Sequence, residues 1–534
     1  MTSDSIILSI IILAYLGVIG YFSLHGFRTT KSTKDYLVAG CSIHPFVMAM
    51  SYDAAFISTS SIVGFGGVAG QFGLGLLWLP FMNIAIGVFI AFIFFGRRTR
   101  KMGHSINAHT FPEFIGTRFD SKGLRISSSL IIFIFIPLYS GVVLIGGARF
   151  IEKIMGLNYN AALMIFAVII ALYVIIGGLK GVMYVDAFMG SIMVLGMIFL
   201  ASVTYYKLGG IVEAHEKLTQ MAPLVPAKLQ ALGHIGWTQM PELNSTWWWI
   251  LVSSLMLGVG IGVLAQPQLA VRFMTVKSGK QLNRAVLIGS IFILLTAGVA
   301  YVVGALSNVW FYETQKQIAI KAAGGNCDLI IPLFIKTAMP KWFVYIFTIT
   351  LLSAAMSTLS SLFHVTGTSI GHDFFCSVFK RHKDSMSITK AGIIFGIIVS
   401  VVLGYLLPPG IVARGTAIFL GVCAATFLPL YAAAIYWKRT TKSGVWASML
   451  TGLGVSLFCL TFLHRKESAA LGICKFLTGK TELISSHPWP YVDSIVISLP
   501  LSLLALVAVS LITKQFNYKH ICKCFHEIGS IRKK

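Results

Sequence analysis

Long apolar stretches separated by short polar loops dominate the hydrophobic pattern of this chain. The first stretch, SIILSIIILAYLGVIGYFSL at residues 5–24, has about the length that a helix needs to cross the hydrocarbon core of a bilayer. The pattern therefore predicts an all-α polytopic membrane protein with thirteen transmembrane helices. The other twelve predicted spans lie at residues 44–70, 74–96, 126–150, 158–178, 183–206, 247–270, 285–307, 342–369, 387–407, 415–437, 444–463 and 492–513.

Composition and charge agree with a membrane protein. Of 534 residues, 56% are hydrophobic and only 11% are charged, whereas about a quarter are charged in a typical soluble domain. The net charge of +24 would suggest nucleic acid as a partner in a soluble protein. Here the basic residues gather in alternate short loops, such as Arg97, Arg98, Arg100 and Lys101, as the positive-inside rule requires. The pattern predicts a plasma-membrane protein, with the bacterial inner membrane as the first expectation. The N-terminus is predicted outside and the C-terminus in the cytoplasm. No nucleic-acid partner is predicted.

Ten of the thirteen predicted helices form two sets of five, helices two to six and helices seven to eleven. An odd number of helices per set places the second set in the membrane upside down relative to the first, as in many transporters. The first helix of each set is interrupted by glycines, and the second of these helices also carries Pro267. Interrupted helices at matching positions point to a binding site at the middle of the membrane, although glycines also serve tight packing. The predicted segments are an N-terminal helix and loop (1–43), the first repeat (44–206), an outer loop (207–246), the second repeat (247–437), and two C-terminal helices with a tail (438–534).

The ninth predicted span carries hydroxyl groups at positions where apolar side chains would be expected. In LLSAAMSTLSSLFHVTGTSI, residues 351–370, one helix face holds Ala354, Ser357, Thr358 and Ser361, and Ser360 flanks it. Such a face offers several oxygens and no charge, and oxygens are the ligands of hard cations. We interpret it as half of a cation site, against the alternative that small residues are there for close helix packing.

Two acidic residues lie within predicted membrane helices. An acid at this depth is costly and by default marks an ion or proton path. Asp186 fits that interpretation, or lies near enough to the inner end of its helix to reach water. Asp53 can serve ion access or the solute, or pair with a basic group, and the sequence leaves these alternatives open.

Six ordered motifs resemble the sodium:solute symporter family, which includes proline, pantothenate, monocarboxylate, sialic acid and sodium/glucose cotransporters. The resemblance covers about residues 35–454 and implies the leucine-transporter-type fold, with inverted five-helix repeats, one extra N-terminal helix and two C-terminal helices. The motifs are DYLVAGCSIHPF (35–46), AAFISTSSIVGFGG (54–67), HTFPEFIGTRF (109–119), GGLKGVMYVDAFMGS (177–191), QPQLAVRFM (266–274) and AAMSTLSS (354–361).

The resemblance also implies where sodium binds. In the family, the common sodium site is formed by two core helices. The first core helix, which is the second predicted span here, supplies backbone carbonyls. The eighth core helix, which is the ninth predicted span here, supplies one carbonyl and two hydroxyls. At the matching positions stand Ala54, Ile57, Ala354, Ser357 and Thr358. Some relatives bind a second sodium, and this chain keeps Asp186, Ser360 and Ser361 at those positions.

The resemblance is less specific about the solute. Pro80 stands where the sodium/glucose branch has a glutamate, and Phe56 stands where the proline branch has an aspartate, so sugar and proline are disfavoured. The segments around residues 54–63 and 140–152 look most like the pantothenate and monocarboxylate branches. A carboxylate can be held by exposed N–H groups at a half-helix terminus. For the solute pocket we predict Phe56, Ser60, Trp78, Tyr139, Ser140, Gln266 and Gln268, each of which also has packing as an alternative role.

The predicted function is sodium-coupled import of a small organic solute, with Na⁺ as coupling ion. The predicted partners are that solute and the lipid bilayer, with no obligatory protein partner. The alternatives are a membrane solute sensor on the same fold and symport of an amino acid such as proline. An enzyme would need a nucleophile or base in a cleft, and the histidines are scattered without such a constellation. Cys327 and Cys474 both lie outside in the predicted topology, where a disulfide competes with the simpler expectation of two free thiols.

Overall fold

A computed structural model describes residues 3–29, 33–39, 43–276, 278–379 and 385–528 of the chain. The described residues form helices joined by loops, and their long helices match the apolar stretches of the sequence. The N-terminal half contains α1 (Ser3–Thr29), α2 (Thr33–Val38), α3 (Pro45–Phe56), α4 (Ser60–Phe72), α5 (Leu74–Ser105), α6 (Phe111–Arg118), α7 (Lys122–Met155), α8 (Tyr159–Lys207) and α9 (Ile211–Gln220).

The C-terminal half repeats the pattern of long apolar helices with short helices between them. Two short helices follow the span that ends at Leu463, on the side that the charge pattern predicts to be outside. The helices are α10 (Thr246–Ala265), α11 (Pro267–Arg272), α12 (Gln281–Gln315), α13 (Ile330–Ala338), α14 (Lys341–Phe379), α15 (Ser385–Leu406), α16 (Val412–Tyr436), α17 (Lys442–Leu463), α18 (Arg465–Leu471), α19 (Ile473–Thr478), α20 (Ile495–Ile512) and α21 (Tyr518–Phe525).

The first helix of each predicted repeat is broken by an extended residue. Between α3 and α4 the backbone of Ile57 has φ −83° and ψ 101°, and the two helices meet at an angle of 55°. Between α10 and α11 the backbone of Gln266 has φ −72° and ψ 119°. Pro267 follows directly, and because proline disfavours helical geometry in the residue before it, the helix ends at this point. The predicted interruptions are therefore present in both helices.

The number of membrane spans is not confirmed as thirteen. Among the described residues, eleven helices are long and apolar enough to cross a membrane, or twelve if α3 and α4 count as one span. The difference arises at α8, where the predicted spans 158–178 and 183–206 form one continuous helix of 49 residues. The helix continues through Gly177 and Gly178 without a break. Before these glycines, the apolar segment Tyr159–Ala171 is too short to count as a membrane span.

The centre of the molecule is formed by α3, α8 and α14, which contact one another along their lengths. In the part of α14 at this centre, every residue from Leu351 to Val365 is buried. The hydroxyl-bearing face predicted for this helix therefore lies inside the protein, away from lipid and water. Cys327 and Cys474 are free thiols, so the alternative of a disulfide between them is not realised here.

Candidate ion and solute site

The predicted sodium ligands meet where α3 ends. Because Ile57 is extended, the last carbonyls of α3 lose part of their helical partners, as at any helix C-terminus. The Asp53 carbonyl still accepts the Ile57 N–H at 2.7 Å. The Ala54 carbonyl instead accepts the Ser357 hydroxyl at 2.7 Å and the Thr358 hydroxyl at 3.3 Å. Oxygens from the first broken helix and from α14 thus converge at one fully buried point.

Ala354 belongs to the same cluster. Its carbonyl lies 3.3 Å from the Ser357 hydroxyl, one helical turn along α14. The group of atoms consists of backbone carbonyls and neutral hydroxyls, and no lysine or arginine in the described part of the chain bonds to it. Such a set suits a monovalent hard cation, because each oxygen can replace one water of hydration without bringing a full charge. The assignment of Ala54, Ile57, Ala354, Ser357 and Thr358 as sodium ligands remains a prediction that the chemistry of these atoms fits.

Asp186 lies in a separate buried network that contains a cation of the chain itself. Arg272 Nη2 lies 3.0 Å from Asp186 Oδ2 and 2.5 Å from the Ser361 hydroxyl. Ser51 donates to the same carboxylate oxygen at 2.8 Å and accepts from Arg272 Nε at 3.0 Å. The guanidinium therefore occupies the space between Asp186 and Ser361 where a second sodium was predicted.

Ser360 and Ser361 also bond to their own helix. Both hydroxyls donate to the Ser357 carbonyl, at 2.9 Å and 3.0 Å. Sequence reasoning missed Arg272 altogether, although the residue stands in the motif QPQLAVRFM. The available signal was an arginine at the end of the short apolar segment after Pro267, because a charge at such a place needs a partner.

The other buried acid, Asp53, has no such partner. It is fully buried, and neither carboxylate oxygen has a hydrogen-bond partner among the described residues. An ion pair between Asp53 and a basic group, one of the alternatives that the sequence left open, is therefore absent among the described residues. The carboxylate lies close to Gly289, where an added Cβ would be 2.6 Å from Asp53 Oδ2.

The predicted solute residues separate into three groups. Gln266 and Gln268 lie together at the second break, joined by a hydrogen bond from Gln268 Nε2 to Gln266 Oε1. Phe56 and Ser60 flank the first break and are buried. Tyr139 is buried and stacks on Phe419, with ring centroids 4.8 Å apart.

Ser140 and Trp78 make contacts that fit the alternative role of packing. The Ser140 hydroxyl donates to the Ile136 carbonyl of its own helix at 3.1 Å. Trp78 is 49% exposed and packs edge-on against Phe81. Sequence alone could not distinguish an inward-facing tryptophan from an outward-facing one, because residues 74–96 of α5 are apolar on almost every side.

In addition to the Asp53 carboxylate, four buried polar atoms near the two breaks have no hydrogen-bond partner among the described residues. They are Gln266 Nε2, Gln268 Oε1, the Ser60 hydroxyl and the Tyr301 hydroxyl. Buried polar groups normally have partners, so a set without them marks a place for a polar ligand. Tyr301, on α12, was not among the predicted solute residues.

The helix N-terminus at the first break does not offer the free N–H groups that we expected for a carboxylate. The Ser60 N–H donates to the Ser58 hydroxyl at 3.1 Å. The N–H groups of Ser61 and Ile62 donate to the Ser58 carbonyl at 3.0 Å and 3.3 Å. Ser58 therefore caps α4, and ligand binding at this end has to use side chains.

Comparison with known proteins identifies the class. The model of the sodium:solute symporter family matches residues 36–452. The chain belongs to the sodium:solute symporter family. It is a multi-pass membrane protein of the Na⁺-coupled transporter class. The resemblance deduced from the motifs is thereby confirmed.

Curated relatives cover most of the chain. The sodium/pantothenate symporter of Haemophilus influenzae is 29% identical over 85% of this chain and 92% of its own length. The sodium/proline symporter of Escherichia coli is 26% identical over 85% of this chain and 86% of its own length. The osmoregulated proline transporter OpuE of Bacillus subtilis is 26% identical over 93% of this chain and 92% of its own length.

A solved structure establishes the fold. A Na⁺-coupled sialic acid symporter, in a substrate-bound outward-open state, superposes with a TM-score of 0.71 at 17% identity. The match covers 95% of this chain and 98% of that one. The predicted leucine-transporter-type fold is confirmed, whereas the choice of solute is left open by relatives with different substrates.

Proposed function

We propose that this chain imports a small organic solute that carries a carboxylate, driven by inward movement of Na⁺. The observation that carries this proposal is the Ala54 carbonyl, freed by the helix break and contacted by the hydroxyls of Ser357 and Thr358. A sodium ion bound there would hold α3 to α14. At a membrane potential of about −100 mV each ion entering the cell releases about 2.3 kcal/mol, before any concentration term.

The support for a carboxylate comes from the unpartnered groups at the two breaks. Gln266 Nε2, the Ser60 hydroxyl and the Tyr301 hydroxyl can all donate hydrogen bonds. A carboxylate accepts several such bonds at once, and these residues bring no negative charge that would repel it. The relative that transports pantothenate is consistent with this class.

The space at the centre is small in this conformation. The cavity beside Pro267 and Phe419 measures about 10 Å³, close to the minimum for one water molecule. We therefore propose that the solute enters after α7, α11 and α16, which line this cavity, move apart, and that Na⁺ favours this solute-competent arrangement. Positive coupling of this kind is reciprocal, so the solute must also raise the affinity for Na⁺.

A second sodium ion can bind at Asp186, Ser360 and Ser361 only if Arg272 moves away. Arg272 already neutralises Asp186 and bonds to Ser361, so a second ion requires the guanidinium to leave. We propose one Na⁺ per cycle in the arrangement described here, and two only if Arg272 moves during transport. Counting Na⁺ against solute in wild-type proteoliposomes distinguishes these ratios.

The experiment that tests the function is a thermal-unfolding screen of the purified full-length protein. Monocarboxylates, pantothenate and amino acids are added with Na⁺ and, in parallel, with choline. We expect a carboxylate whose stabilising shift appears only with Na⁺. A ligand that stabilises equally in choline, or a complete series without a Na⁺-dependent shift, contradicts the proposal.

Symport of an amino acid is the second candidate, because two of the relatives reported above transport proline. The same screen separates it from the first, since proline carries an ammonium group that a simple monocarboxylate lacks. Transport itself is tested by counterflow of the labelled ligand in proteoliposomes. Binding without counterflow would identify a sensor. The outside position of the N-terminus, which the loop charges predict, is tested by labelling residues of the N-terminal segment in whole cells.

A further inference from the structure

A large cavity lies at the C-terminal end of α5, on the side of the membrane that the loop charges predict to be inside. It measures about 720 Å³ and is open to its surroundings. Its walls are residues of α5 between positions 93 and 101, Gly279 directly before α12, Tyr436 at the end of α16 and Ile528 after α21. Within α5, this is where the apolar sequence ends and the basic sequence at residues 97–101 begins. The cavity therefore lies at the level where the hydrocarbon of the inner leaflet meets its headgroups.

Three cations line this cavity, and no acid lines it among the described residues. The cations are Arg97, Arg98 and Lys101. None of them forms an ion pair with a carboxylate in the described part of the chain. Arg125, on the same side of the membrane, differs in this respect, because its guanidinium lies 2.9 Å from the Asp373 carboxylate. The cavity thus has a positive lining without a counter-charge from the described protein.

Contacts with neutral groups hold the two arginines in place. Arg97 Nε donates to Asn283 Oδ1 on α12 at 2.8 Å. Arg98 Nη1 donates to the Ile435 carbonyl at 3.1 Å, and its guanidinium carbon lies 4.2 Å from the centre of the Tyr436 ring. These contacts fix the position of each guanidinium without neutralising it. Both side chains are only half-buried, so an anion in the cavity can reach them.

The rest of the lining is mainly apolar and continues into the lipid-facing side of α5. Ile93, Phe94 and Ile528 belong to it. Phe94 is 48% exposed, and Phe89, earlier on the same helix, is 49% exposed. Exposed apolar side chains along a membrane helix face the lipid tails. Tyr436, whose hydroxyl donates to the Phe94 carbonyl at 3.0 Å, has the amphipathic character typical of the membrane interface. One cavity thus joins a cationic part to an apolar part that borders the lipid.

This combination fits an anionic phospholipid better than a soluble anion. Arginine binds phosphate through two parallel hydrogen bonds, and lysine binds it as a point charge. Basic pockets between membrane helices on the cytoplasmic side bind anionic headgroups in this way. A soluble phosphate would need only the cations, whereas a lipid also uses the apolar part of the lining. The volume lies within the usual range of ligand sites, about 300–1,000 Å³.

We propose that this cavity binds an anionic phospholipid of the inner leaflet. Its phosphate is held by Arg97, Arg98 and Lys101, and the first part of its acyl chains lies against Ile93 and Phe94. Such a lipid bridges α5, the start of α12 and the end of α16, and so stabilises their packing at the inner face. The proposal goes beyond the proposed transport function and does not rest on it.

The first test measures the lipid preference directly. The purified full-length protein is stripped of lipid in a non-ionic detergent and titrated with phosphatidylglycerol or with phosphatidylcholine of the same acyl chains. Native mass spectrometry counts the bound lipid, and we expect the first phosphatidylglycerol to bind more tightly. Arg97→Gln and Lys101→Gln should each lower the affinity ratio of the two lipids about fivefold, which corresponds to about 1 kcal/mol for one cation near anionic lipid. Equal affinities in the wild type, or an unchanged ratio in either variant, overturn the proposal.

Matched variants guard against indirect effects. Lys101→Arg keeps the charge and should keep the ratio. Lys122→Gln removes an exposed lysine on the same side of the membrane that does not line the cavity, and should leave the ratio unchanged. Asn283→Asp places a carboxylate beside Arg97 at an exposed position and should lower the ratio as Arg97→Gln does. A fall with Lys122→Gln as large as that with Lys101→Gln would show a general surface attraction and overturn the site.

The second test separates a lipid from a soluble phosphate. Thermal unfolding of the stripped wild-type protein is followed with phosphatidylglycerol, phosphatidylcholine, inorganic phosphate and glycerol phosphate at one concentration. Phosphatidylglycerol should raise the unfolding midpoint most, and the two soluble phosphates should not raise it. Equal stabilisation by a soluble phosphate would overturn the lipid assignment. The measurements use neither Na⁺ nor solute, so a failure of the transport proposal leaves them unaffected, and the absence of a lipid preference leaves the sodium experiments unaffected.

Discussion

The two broken helices of this transporter differ in what happens to the polar groups that each break exposes. At the first break, the freed Ala54 carbonyl is bonded by two hydroxyls from α14. At the second break, Gln266 and Gln268 bond only to each other, and each keeps an amide atom without a partner. The comparison favours the proposed assignment of the first break to a small cation and of the second break to the solute.

The two breaks are also tied together. Arg272 stands at the end of α11, directly after the second break, and bonds to Ser51 on α3, which leads to the first break. The same guanidinium reaches Asp186 on α8 and Ser361 on α14. Arg272 therefore connects the segments of the two breaks through a buried, charged contact.

The largest expected effect comes from removing that contact. Arg272→Ala leaves Asp186 as an uncompensated buried charge, and breaking a buried pair in this way costs about 3–5 kcal/mol. We expect a large fall in the thermal-unfolding midpoint of the purified protein. The double variant Arg272→Ala with Asp186→Asn should recover part of the loss. Arg284→Ala, at an exposed position on α12, serves as control and should change little. A single variant as stable as wild type would contradict the pairing.

The second prediction concerns how closely α10 approaches its neighbour before the second break. A Cβ at Gly262 would lie 2.5 Å from the Leu420 carbonyl oxygen, whereas a Cβ at Gly258 would meet its nearest atom at 3.5 Å. Gly262→Ala should therefore cost about 1–3 kcal/mol through overpacking. Gly258→Ala should be neutral or stabilising by up to about 1 kcal/mol, because alanine favours helix. Thermal unfolding of the two variants checks the difference, and equal midpoints would refute it.

The third prediction sharpens the assignment of the first break to the ion. Ser357→Ala removes the shorter of the two hydroxyl contacts to Ala54. A lost contact of about 1.4 kcal/mol corresponds to a tenfold higher Na⁺ concentration for half-maximal stabilisation or uptake. The control is Ser353→Ala on the same helix, whose hydroxyl bonds to Tyr15 instead. If both variants, or neither, shift the Na⁺ dependence, the assignment of Ser357 fails.

The fourth prediction assigns the second break to the solute. Gln268→Ala removes an amide whose oxygen has no hydrogen-bond partner among the described residues. We expect the solute affinity at saturating Na⁺ to fall about tenfold or less, the effect of one hydrogen bond. Stabilisation by Na⁺ alone should stay within twofold of wild type. Gln220→Ala, at an exposed position of α9, is the control. A change in Na⁺ binding without a change in solute affinity would reverse the roles of the two breaks.

Several features of the site could be predicted from the sequence because they depend on local chemistry. Pro267 and the paired glycines indicate helix interruptions regardless of how the helices pack. The spacing of Ser357 and Thr358 places both hydroxyls on one face of a helix. Other features depend on long-range contacts. The pairing of Asp186 with Arg272, the outward position of Trp78 and the capping of α4 by Ser58 follow from how helices rotate and dock, which single-chain periodicity does not encode.

By itself, the sequence determined the class of fold, the apolar spans, the two interruptions and the oxygen-rich face of α14, because each follows from hydrophobicity and residue spacing along one segment. Only the tertiary structure decided that 49 residues form one helix at α8, that Arg272 lies where a second ion was expected, and that Arg97 and Lys101 share a cavity with Ile528. The physical reason is that burial and electrostatic interactions act between segments distant in sequence, so their outcome depends on the packed chain as a whole.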